Sequence, residues 1–171
     1  KHNYENIMAM ILAVKQFDVS NEAIYTVLST FKGVEHRIEY VTTINGRVFY
    51  NDSKSTNNKA LITALDSFTT PTILIMGGLD RGQSFDELDE YMKHVKHIIC
   101  YGETKQKIRE FATKYNYNCE VVNNLIEATH KAYELSSEGD TILLSPGCAS
   151  WDQYKCFEDR GEEFKNELKN L

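Results

Sequence analysis

The first 33 residues predict two short amphipathic helices, because their hydrophobic positions recur at helical spacing. Asn3 leads into the first helix, and Ser20, a favourable N-cap residue, leads into the second, which Gly33 ends. The two apolar stripes are Ile7, Met10, Ile11 and Val14, and then Ile24, Val27, Leu28 and Phe31. Two helices of this size cannot cover both apolar faces alone, so we expect them to belong to a longer protein.

After Gly33 the hydrophobic pattern becomes that of strands. Residues 37–44 predict a strand, and Asn45-Gly46 is a strong signal for a type I′ turn that returns the chain through residues 47–50. Four further short apolar segments predict strands at 72–76, 97–101, 119–122 and 141–144.

Amphipathic helices are predicted between these later strands. Their apolar stripes are Leu61, Leu65 and Phe68; Ile108, Phe111, Ala112 and Tyr115; and Leu125, Ala128, Ala132 and Leu135. Short apolar strands that alternate with such helices are typical of a parallel sheet covered on both faces. The predicted fold class is therefore α/β, with a β-hairpin at the entrance of the sheet.

A last helix carries Phe157, Gly161, Phe164 and Leu168 on one face. A glycine among bulky residues predicts that another backbone approaches closely at Gly161. Trp151, in the turn before this helix, is interpreted as a packing residue.

Composition narrows the classes of function. The chain has 171 residues, of which 42% are hydrophobic and 26% charged, as in ordinary globular proteins. Its net charge of -6, with no basic cluster, argues against a nucleic-acid partner. No apolar run approaches the roughly 18 residues of a membrane span, and no signal-peptide pattern is present, so we expect a cytoplasmic protein with no membrane partner. The four cysteines show no CxxC spacing, and we expect them to be reduced and to bind no metal.

Polar residues collect where the predicted strands end, which is where open α/β sheets bind ligands. Residues 51–57 follow the second strand, residues 77–82 the third, and residues 145–152 the last. Lys54 and Arg81 lie in two of these loops and could hold a dicarboxylate by charge-assisted hydrogen bonds.

Simpler interpretations exist for the same loops. Ser53, Ser55 or Thr56 could cap the next helix. Gly77-Gly78 could provide only a tight turn, since it matches neither the GxGxxG fingerprint nor the GxxxxGK[ST] phosphate loop.

Four motifs together resemble those of the Mur ligases. The motifs are HNYEN at 2–6, GVEHR at 33–37, NDSKSTN at 51–57 and SPGCASWDQY at 145–154, followed by Phe157, Arg160, Gly161 and Phe164. The first two are shared across the family and weak alone. The combination of DSKxTN with SPxxASxDQ is specific to the members that add D-glutamate. The resemblance covers the whole chain.

The resemblance implies a Rossmann-like C-terminal domain at 34–171, preceded at 1–33 by the tail of a central ATPase domain. The complete enzyme would be an ATP-dependent amide ligase that adds D-glutamate to UDP-N-acetylmuramoyl-L-alanine through an acyl phosphate, in peptidoglycan precursor synthesis. The missing domains, in cis, would hold the phosphate loop and most ligands of Mg²⁺. We therefore expect this chain alone to be inactive.

The resemblance also implies roles for individual residues. Lys54 matches a catalytic lysine near the D-glutamate carboxylates and the transferred phosphate. Matches to D-glutamate-binding positions are Thr56, Arg81, Ser150 and Phe157, with Phe157 using its backbone. Matches to ATP-binding positions are Asn3, Asn6, Arg37 and Asp52. Arg81 replaces a lysine of some members, and Trp151 replaces a smaller apolar residue.

Three alternatives stay open at this point. A folylpolyglutamate synthetase-like ligase domain belongs to the same superfamily and differs in using L-glutamate. A nucleotide-binding oxidoreductase module shares the alternating pattern but lacks its glycine fingerprint here. A noncatalytic nucleotide-binding module with a Rossmann-like fold is the third alternative.

Overall fold

The computed structural model describes residues 2–31 and 33–171, and the side chains of all of these except His2 and Asn3. The chain divides into two compact units, Lys1–Gly33 and Val34–Leu171. Among the described residues, no helix combines the length and the hydrophobicity needed to cross a membrane. All four cysteines are free thiols.

The first unit contains the two predicted helices, α1 (His2–Lys15) and α2 (Asn21–Thr30). Ser20 caps α2 as predicted, since its Oγ accepts a hydrogen bond from the amide of Ala23 at 3.1 Å. The predicted end at Gly33 is wrong, because α2 ends at Thr30. The Thr30 hydroxyl donates to the carbonyl of Thr26 at 2.8 Å and so competes with the backbone for acceptors in the last turn.

The apolar stripes of the first unit are incompletely covered. Val27 and Phe31, two members of the predicted α2 stripe, are exposed, and the members of the α1 stripe are only half-buried. No residue of α2 is fully buried. The stability of these helices therefore has little contribution from packing within their own unit.

The second unit is built on one six-stranded sheet in the order β1-β2-β6-β3-β4-β5. β1 and β2 are antiparallel, and every other neighbouring pair is parallel. The strands are β1 (Glu39–Ile44), β2 (Arg47–Asn51), β3 (Thr72–Gly77), β4 (Val95–Tyr101), β5 (Cys119–Val121) and β6 (Thr141–Leu144). The predicted α/β fold with a mostly parallel sheet is confirmed, and so is the hairpin, whose Asn45 and Gly46 have φ of 48° and 75°.

Helices cover both faces of the sheet and create two cores. The helices are α3 (Asn58–Leu65), α4 (Lys105–Lys114), α5 (Leu125–Leu135) and α6 (Phe157–Glu167). Leu74 and Met76 of β3 pack with side chains of α3 and α4, whereas Ile73 and Ile75 pack with α5 and α6. This alternation is the strand period of two, and it explains why β3 is apolar along its whole length.

The connection between β3 and β4 contains an element that the periodicity did not predict. A 3₁₀ helix spans Asp86–Tyr91, and another short one closes the chain at Leu168–Asn170. Phe85, Leu88 and Met92 are buried beneath the first of these. Three apolar residues in a strongly acidic segment are too few for a recognisable amphipathic stripe.

Gly161 of α6 is in close contact with side chains, not with a backbone as predicted. A Cβ at this position would clash with Nδ1 of His36 and lie 3.1 Å from Nδ2 of Asn51. These two side chains are buried and hydrogen-bonded to each other at 2.9 Å. The space that glycine leaves is therefore filled by a polar pair.

We expect Gly161→Ala to lower the free energy of unfolding by about 1–3 kcal/mol, because the added methyl group would displace this pair. In an unhindered helix the same substitution would stabilise by about 1 kcal/mol. Urea unfolding of the unmodified chain and of Gly161→Ala measures whether the free energy of unfolding falls or rises. Equal or greater stability of the variant would show that the His36–Asn51 pair adapts without cost.

Candidate functional site

Three loops meet at one edge of the sheet because β2, β6 and β3 are adjacent and parallel. We call them the β2 loop (52–57), the β3 loop (78–85) and the β6 loop (145–156). Their positions at the carboxyl ends of neighbouring strands follow from the topology. The residues predicted to bind D-glutamate lie in or directly after these loops, on this single edge.

Arg160 of α6 joins the β2 loop to the β6 loop. Its Nε and one terminal nitrogen donate to the hydroxyl and the carbonyl of Ser53 at 2.9 and 2.7 Å. The other terminal nitrogen donates to the carbonyl of Cys148 at 3.0 Å. The Arg160 side chain is completely buried. Its planar fork therefore fixes the relative position of the two loops.

Among the described residues, no carboxylate forms an ion pair with Arg160. Burial raises the pKa of Tyr101 to about 12 and also raises the pKa of the Cys148 thiol and of the Asp152 carboxyl, and all three groups interact with the charge of Arg160. The hydrogen bonds of Arg160 go to neutral groups only, so its buried charge adds a positive contribution to the potential at this edge, which the half-buried Asp152 partly offsets. This potential favours anionic ligands.

The β3 loop is attached to the β6 loop through the backbone. The amide of Leu79 donates to the carbonyl of Ala149 at 2.9 Å, and the amide of Gly77 donates to the carbonyl of Pro146 at 3.0 Å. Gly78 has a φ of 144°, and a Cβ there would clash with the carbonyl oxygen of Ala149. Gly77-Gly78 thus allows close approach of two loops in addition to a turn.

Lys54 lies beside the first residue of α6. Its ammonium is 5.4 Å from the centre of the Phe157 ring, within the range of a cation–π contact. The carbonyl of Phe157 accepts a hydrogen bond from Ser53 Oγ at 2.7 Å. Because this carbonyl is engaged, the backbone amide at the start of α6 is the group that Phe157 can offer to an anion.

Thr56 does not cap the next helix. Asn57 caps α3, since its Oδ1 accepts from the amide of Ala60 at 3.0 Å. The capping interpretation of Ser53, Ser55 and Thr56 is therefore wrong. The preference of asparagine for N-caps explains the assignment, because Asn57 directly precedes the helix.

The β6 and β3 loops contribute Ser150, Trp151 and Arg81 to the edge. Ser150 is buried, and its carbonyl accepts from the amides of Gln153 and Tyr154 at 3.1 and 2.8 Å. Trp151 is 63% exposed, so its interpretation as a packing residue is wrong. The guanidinium carbon of Arg81 lies 4.7 Å from the centre of the Trp151 ring.

The residues predicted to bind ATP fall in both units. Asn6 is an exposed residue of α1, and the side chain of Asn3 lies outside the described part of the chain. Arg37 is exposed in the second unit. Asp52 is buried, and its two oxygens accept from Ser145 Oγ at 2.7 Å and from the amide of Ile38 at 3.1 Å. Burial raises the pKa of Asp52 to about 6, despite the opposing effect of these hydrogen bonds.

The raised pKa of Asp52 makes its contribution to stability depend on pH. Below about pH 4 the carboxyl is protonated in both states. Between pH 4 and 6 the unfolded chain loses this proton more readily than the folded chain does, so folding loses about 3 kcal/mol as pH rises through this window.

We therefore expect Asp52→Asn to raise the free energy of unfolding at pH 7.5 by about 1–3 kcal/mol, with the gain disappearing near pH 4. Urea unfolding between pH 4 and 7.5 tests this result. The matched control is Glu110→Gln, which replaces a carboxyl by an amide on the exposed face of α4. A loss of stability in Asp52→Asn at neutral pH would contradict it.

A second polar cluster lies beside His36 and contains Glu35 and Glu162. Potential metal-ligand atoms of these three residues are within 4.8 Å of one another. The ammonium of Lys165 lies 2.5 Å from Glu35 and 2.6 Å from Glu162. The ammonium of Lys165 therefore already contacts both carboxylates, and the geometry does not favour a metal ion there.

Two cavities, of about 340 and 290 Å³, lie beside the 3₁₀ helix Asp86–Tyr91. Acidic residues of that helix line the first cavity, and none of the predicted site residues lines either one. The residues described above lie instead along the edge of the sheet.

The residues that organise the edge were only partly identified in the sequence. In the sequence, Ser53 and Gly78 are recognisable only as polar or turn residues, and Arg160 only as part of a motif. A signal for Arg160 is its position three residues after Phe157, on the apolar face of α6. A charged residue on such a face indicates a buried polar contact.

Comparison with known proteins gives consistent results. A family model described as "Mur ligase, glutamate ligase domain" matches residues 36–148. A relative from Bacillus subtilis (strain 168), called UDP-N-acetylmuramoylalanine--D-glutamate ligase, is 52% identical over 164 residues, which are 95% of this chain and 36% of the relative. A protein of the same name from Bacillus mycoides is 55% identical over 96% of this chain and 37% of its own length. The chain thus spans little more than a third of these curated relatives.

Solved structures share the fold. MurF from Acinetobacter baumannii has a TM-score of 0.74 at 17% identity, and the match covers 100% of this chain and 38% of the MurF chain. MurC from Thermotoga maritima has a TM-score of 0.69 at 12% identity, and the match covers 99% of this chain and 38% of the MurC chain. Because the family model matches most of the chain, this protein belongs to the Mur ligase family and contains its glutamate ligase domain.

Proposed function

We propose that this chain is the C-terminal part of an ATP-dependent ligase that adds D-glutamate to UDP-N-acetylmuramoyl-L-alanine in the cytoplasm, during peptidoglycan precursor synthesis. Residues 34–171 would form the D-glutamate-binding domain, and residues 1–33 the tail of the ATPase domain. The observation that carries the proposal is the grouping of the cations Lys54, Arg81 and Arg160 at the single edge formed by the β2, β3 and β6 loops. The names of the relatives at 52–55% identity support this substrate.

The proposed reaction needs residues that bind the carboxylates of D-glutamate and a residue that stabilises the charge formed during the attack. D-glutamate has two carboxylates and an amine that must attack the acyl phosphate of the acceptor. In our proposal, Thr56, Arg81, Ser150 and the backbone of Phe157 hold the carboxylates, so that the amine has a fixed direction of approach. Lys54 then faces the charge that develops during the attack. Catalysis of this kind consists mainly of positioning and charge stabilisation.

In our proposal, Asn3, Asn6, Arg37 and Asp52 serve the ATP site, as the resemblance implies. Arg37 is exposed and can pair with a phosphate. Asp52 is buried with both oxygens hydrogen-bonded, so its contribution is to hold Ile38 and Ser145 in place. A Thermotoga maritima MurF was solved with ADP, at 16% identity to this chain.

The ATP-side residues do not form a ligand set for Mg²⁺. Asp52 is buried and both of its oxygens are engaged by hydrogen bonds, which makes it a poor ligand for a hard cation. We propose that most ligands of Mg²⁺ lie in domains outside this chain.

Incorporation of radiolabelled glutamate by the full-length protein tests the proposal. With ATP and UDP-N-acetylmuramoyl-L-alanine we expect D-glutamate to be incorporated and L-glutamate to be rejected. The chain of residues 1–171 alone is expected to cleave no ATP. Incorporation of L-glutamate into a folate acceptor would favour a folylpolyglutamate synthetase-like activity instead.

A further inference from the structure

Trp151 is exposed although it is the largest apolar side chain of the protein. It is the single tryptophan in the sequence, and 63% of its surface is accessible. Its neighbour Ser150 is only 2% exposed, so the backbone of the β6 loop is fixed directly beside it. A large rigid ring held on a fixed loop is suited to contact with another group.

The group that contacts Trp151 is the guanidinium of Arg81, 4.7 Å from the ring centre. These residues come from different loops, which the hydrogen bond between Leu79 and Ala149 joins at 2.9 Å. The contact is therefore supported by the backbone on both sides.

Among the described residues, no carboxylate forms an ion pair with Arg81. The adjacent Asp80 is paired with Lys107 at 2.7 Å and accepts from the amide of Gly82 at 2.8 Å. Asp152, next to Trp151, accepts from the amide of Glu103 at 3.2 Å. The neighbouring acids are thus engaged elsewhere, while the guanidinium rests on an aromatic face.

Stacking leaves the hydrogen-bonding edge of a guanidinium available. The ring contacts the flat face of the ion, whereas the five N–H donors lie in its plane and can still bind a carboxylate bidentately. An exposed arginine otherwise samples many rotamers, and each lost rotamer must be compensated when a ligand binds. An aromatic platform reduces this cost before the ligand arrives.

We propose that Trp151 is a positioning residue that holds Arg81 over the edge, so that its guanidinium receives one carboxylate of a small dicarboxylic amino acid beside Ser150. This inference rests on the proposed function and extends it. Trp151 acts through Arg81 and does not itself bind the substrate.

Kinetics of the full-length ligase test this inference. Trp151→Leu is expected to raise KM for D-glutamate about three- to tenfold, with kcat changed less than twofold and KM for ATP unchanged. Trp151→Phe, which retains an aromatic face, is expected to restore KM to within about twofold of the unmodified enzyme. Tyr115→Leu is the matched control. It removes a cation–π contact in which the Lys114 ammonium, at the end of α4, lies 4.8 Å from the ring centre. Both residues lie outside the site.

The double variant separates positioning from direct binding. In an Arg81→Ala background, Trp151→Leu is expected to raise KM less than about 1.5-fold further. An equal effect of Trp151→Leu with and without Arg81 would overturn the inference, and so would an unchanged KM in the single variant. Either result leaves the proposed function intact, whereas a full-length enzyme that does not use D-glutamate would refute the function itself.

Discussion

Replacing Arg160 with methionine is expected to lower the free energy of unfolding of this chain by about 3–5 kcal/mol. Methionine can fill the volume of the aliphatic stem, but it supplies none of the three hydrogen bonds. The carbonyls of Ser53 and Cys148 would be left buried without these donors. A buried polar group that loses its partner costs about 1–3 kcal/mol, and two such groups are affected here.

Urea unfolding of the 171-residue chain measures the loss. Arg160→Lys keeps the charge but not the planar fork, so we expect an intermediate value. Arg109→Met, on the exposed face of α4, is the matched control and should change stability by less than about 0.5 kcal/mol. An Arg160→Met protein as stable as the unmodified chain would mean that the two loops hold each other without this side chain.

The same substitution should also affect the site. Because Arg160 joins the loops that carry Lys54 and Ser150, its loss would separate the two sides of the edge before any substrate arrives. The structural and functional effects are therefore coupled, and Arg160→Met cannot by itself assign a role in binding. Variants of exposed residues are needed for that purpose.

Much of the fold could be predicted because hydrophobic periodicity and turn residues were strong in the second unit. The strand β3 is apolar at nearly every position. This pattern is typical of a strand that is buried on both faces of a sheet. Asn45-Gly46 has the residue types that two successive positive φ angles demand. These local signals do not depend on distant parts of the chain.

The errors at Gly161 and Trp151 came from contacts between residues far apart in the sequence. Gly161 signalled a close neighbour, but the identity of that neighbour, His36, depends on how α6 lies against the segment before β1. The sequence predicts a packing role for Trp151, since tryptophan is usually largely buried, yet here a cation from another loop covers one face of its ring. Periodicity carries no information about either partner.

The candidate site was predictable in position and only partly in its organisation. Parallel strands place their carboxyl ends together, which was sufficient to group Lys54, Arg81 and Ser150. The position of Arg160 on the apolar face of α6 indicates a buried polar contact, but it does not identify the partners. These are Ser53 and Cys148, which lie in other loops, and only the folded chain brings them together.

Lys54→Ala in the full-length ligase is expected to lower kcat/KM for D-glutamate by a factor of about 10²–10³ and to change KM for ATP less than about threefold. Lys54 is exposed in this chain and contacts the ring of Phe157, so its removal should leave the fold intact. Its ammonium is the cation nearest in sequence to Thr56, and it faces the start of α6. An anion held there would lose a charge-assisted contact that strengthens as negative charge develops.

Steady-state kinetics with each substrate varied in turn distinguish this role from a structural one. Thr56→Ala should weaken the use of D-glutamate as well, by about 5- to 50-fold, because a neutral hydroxyl contributes less than an ammonium. Lys59→Ala removes an exposed lysine of α3, five positions along the chain, and is the matched control. Unchanged D-glutamate kinetics in both Lys54→Ala and Thr56→Ala would remove the β2 loop from the site, since no other residue of that loop combines an exposed charge with proximity to α6. The binding of D-glutamate would then have to be sought among residues of the β3 and β6 loops alone.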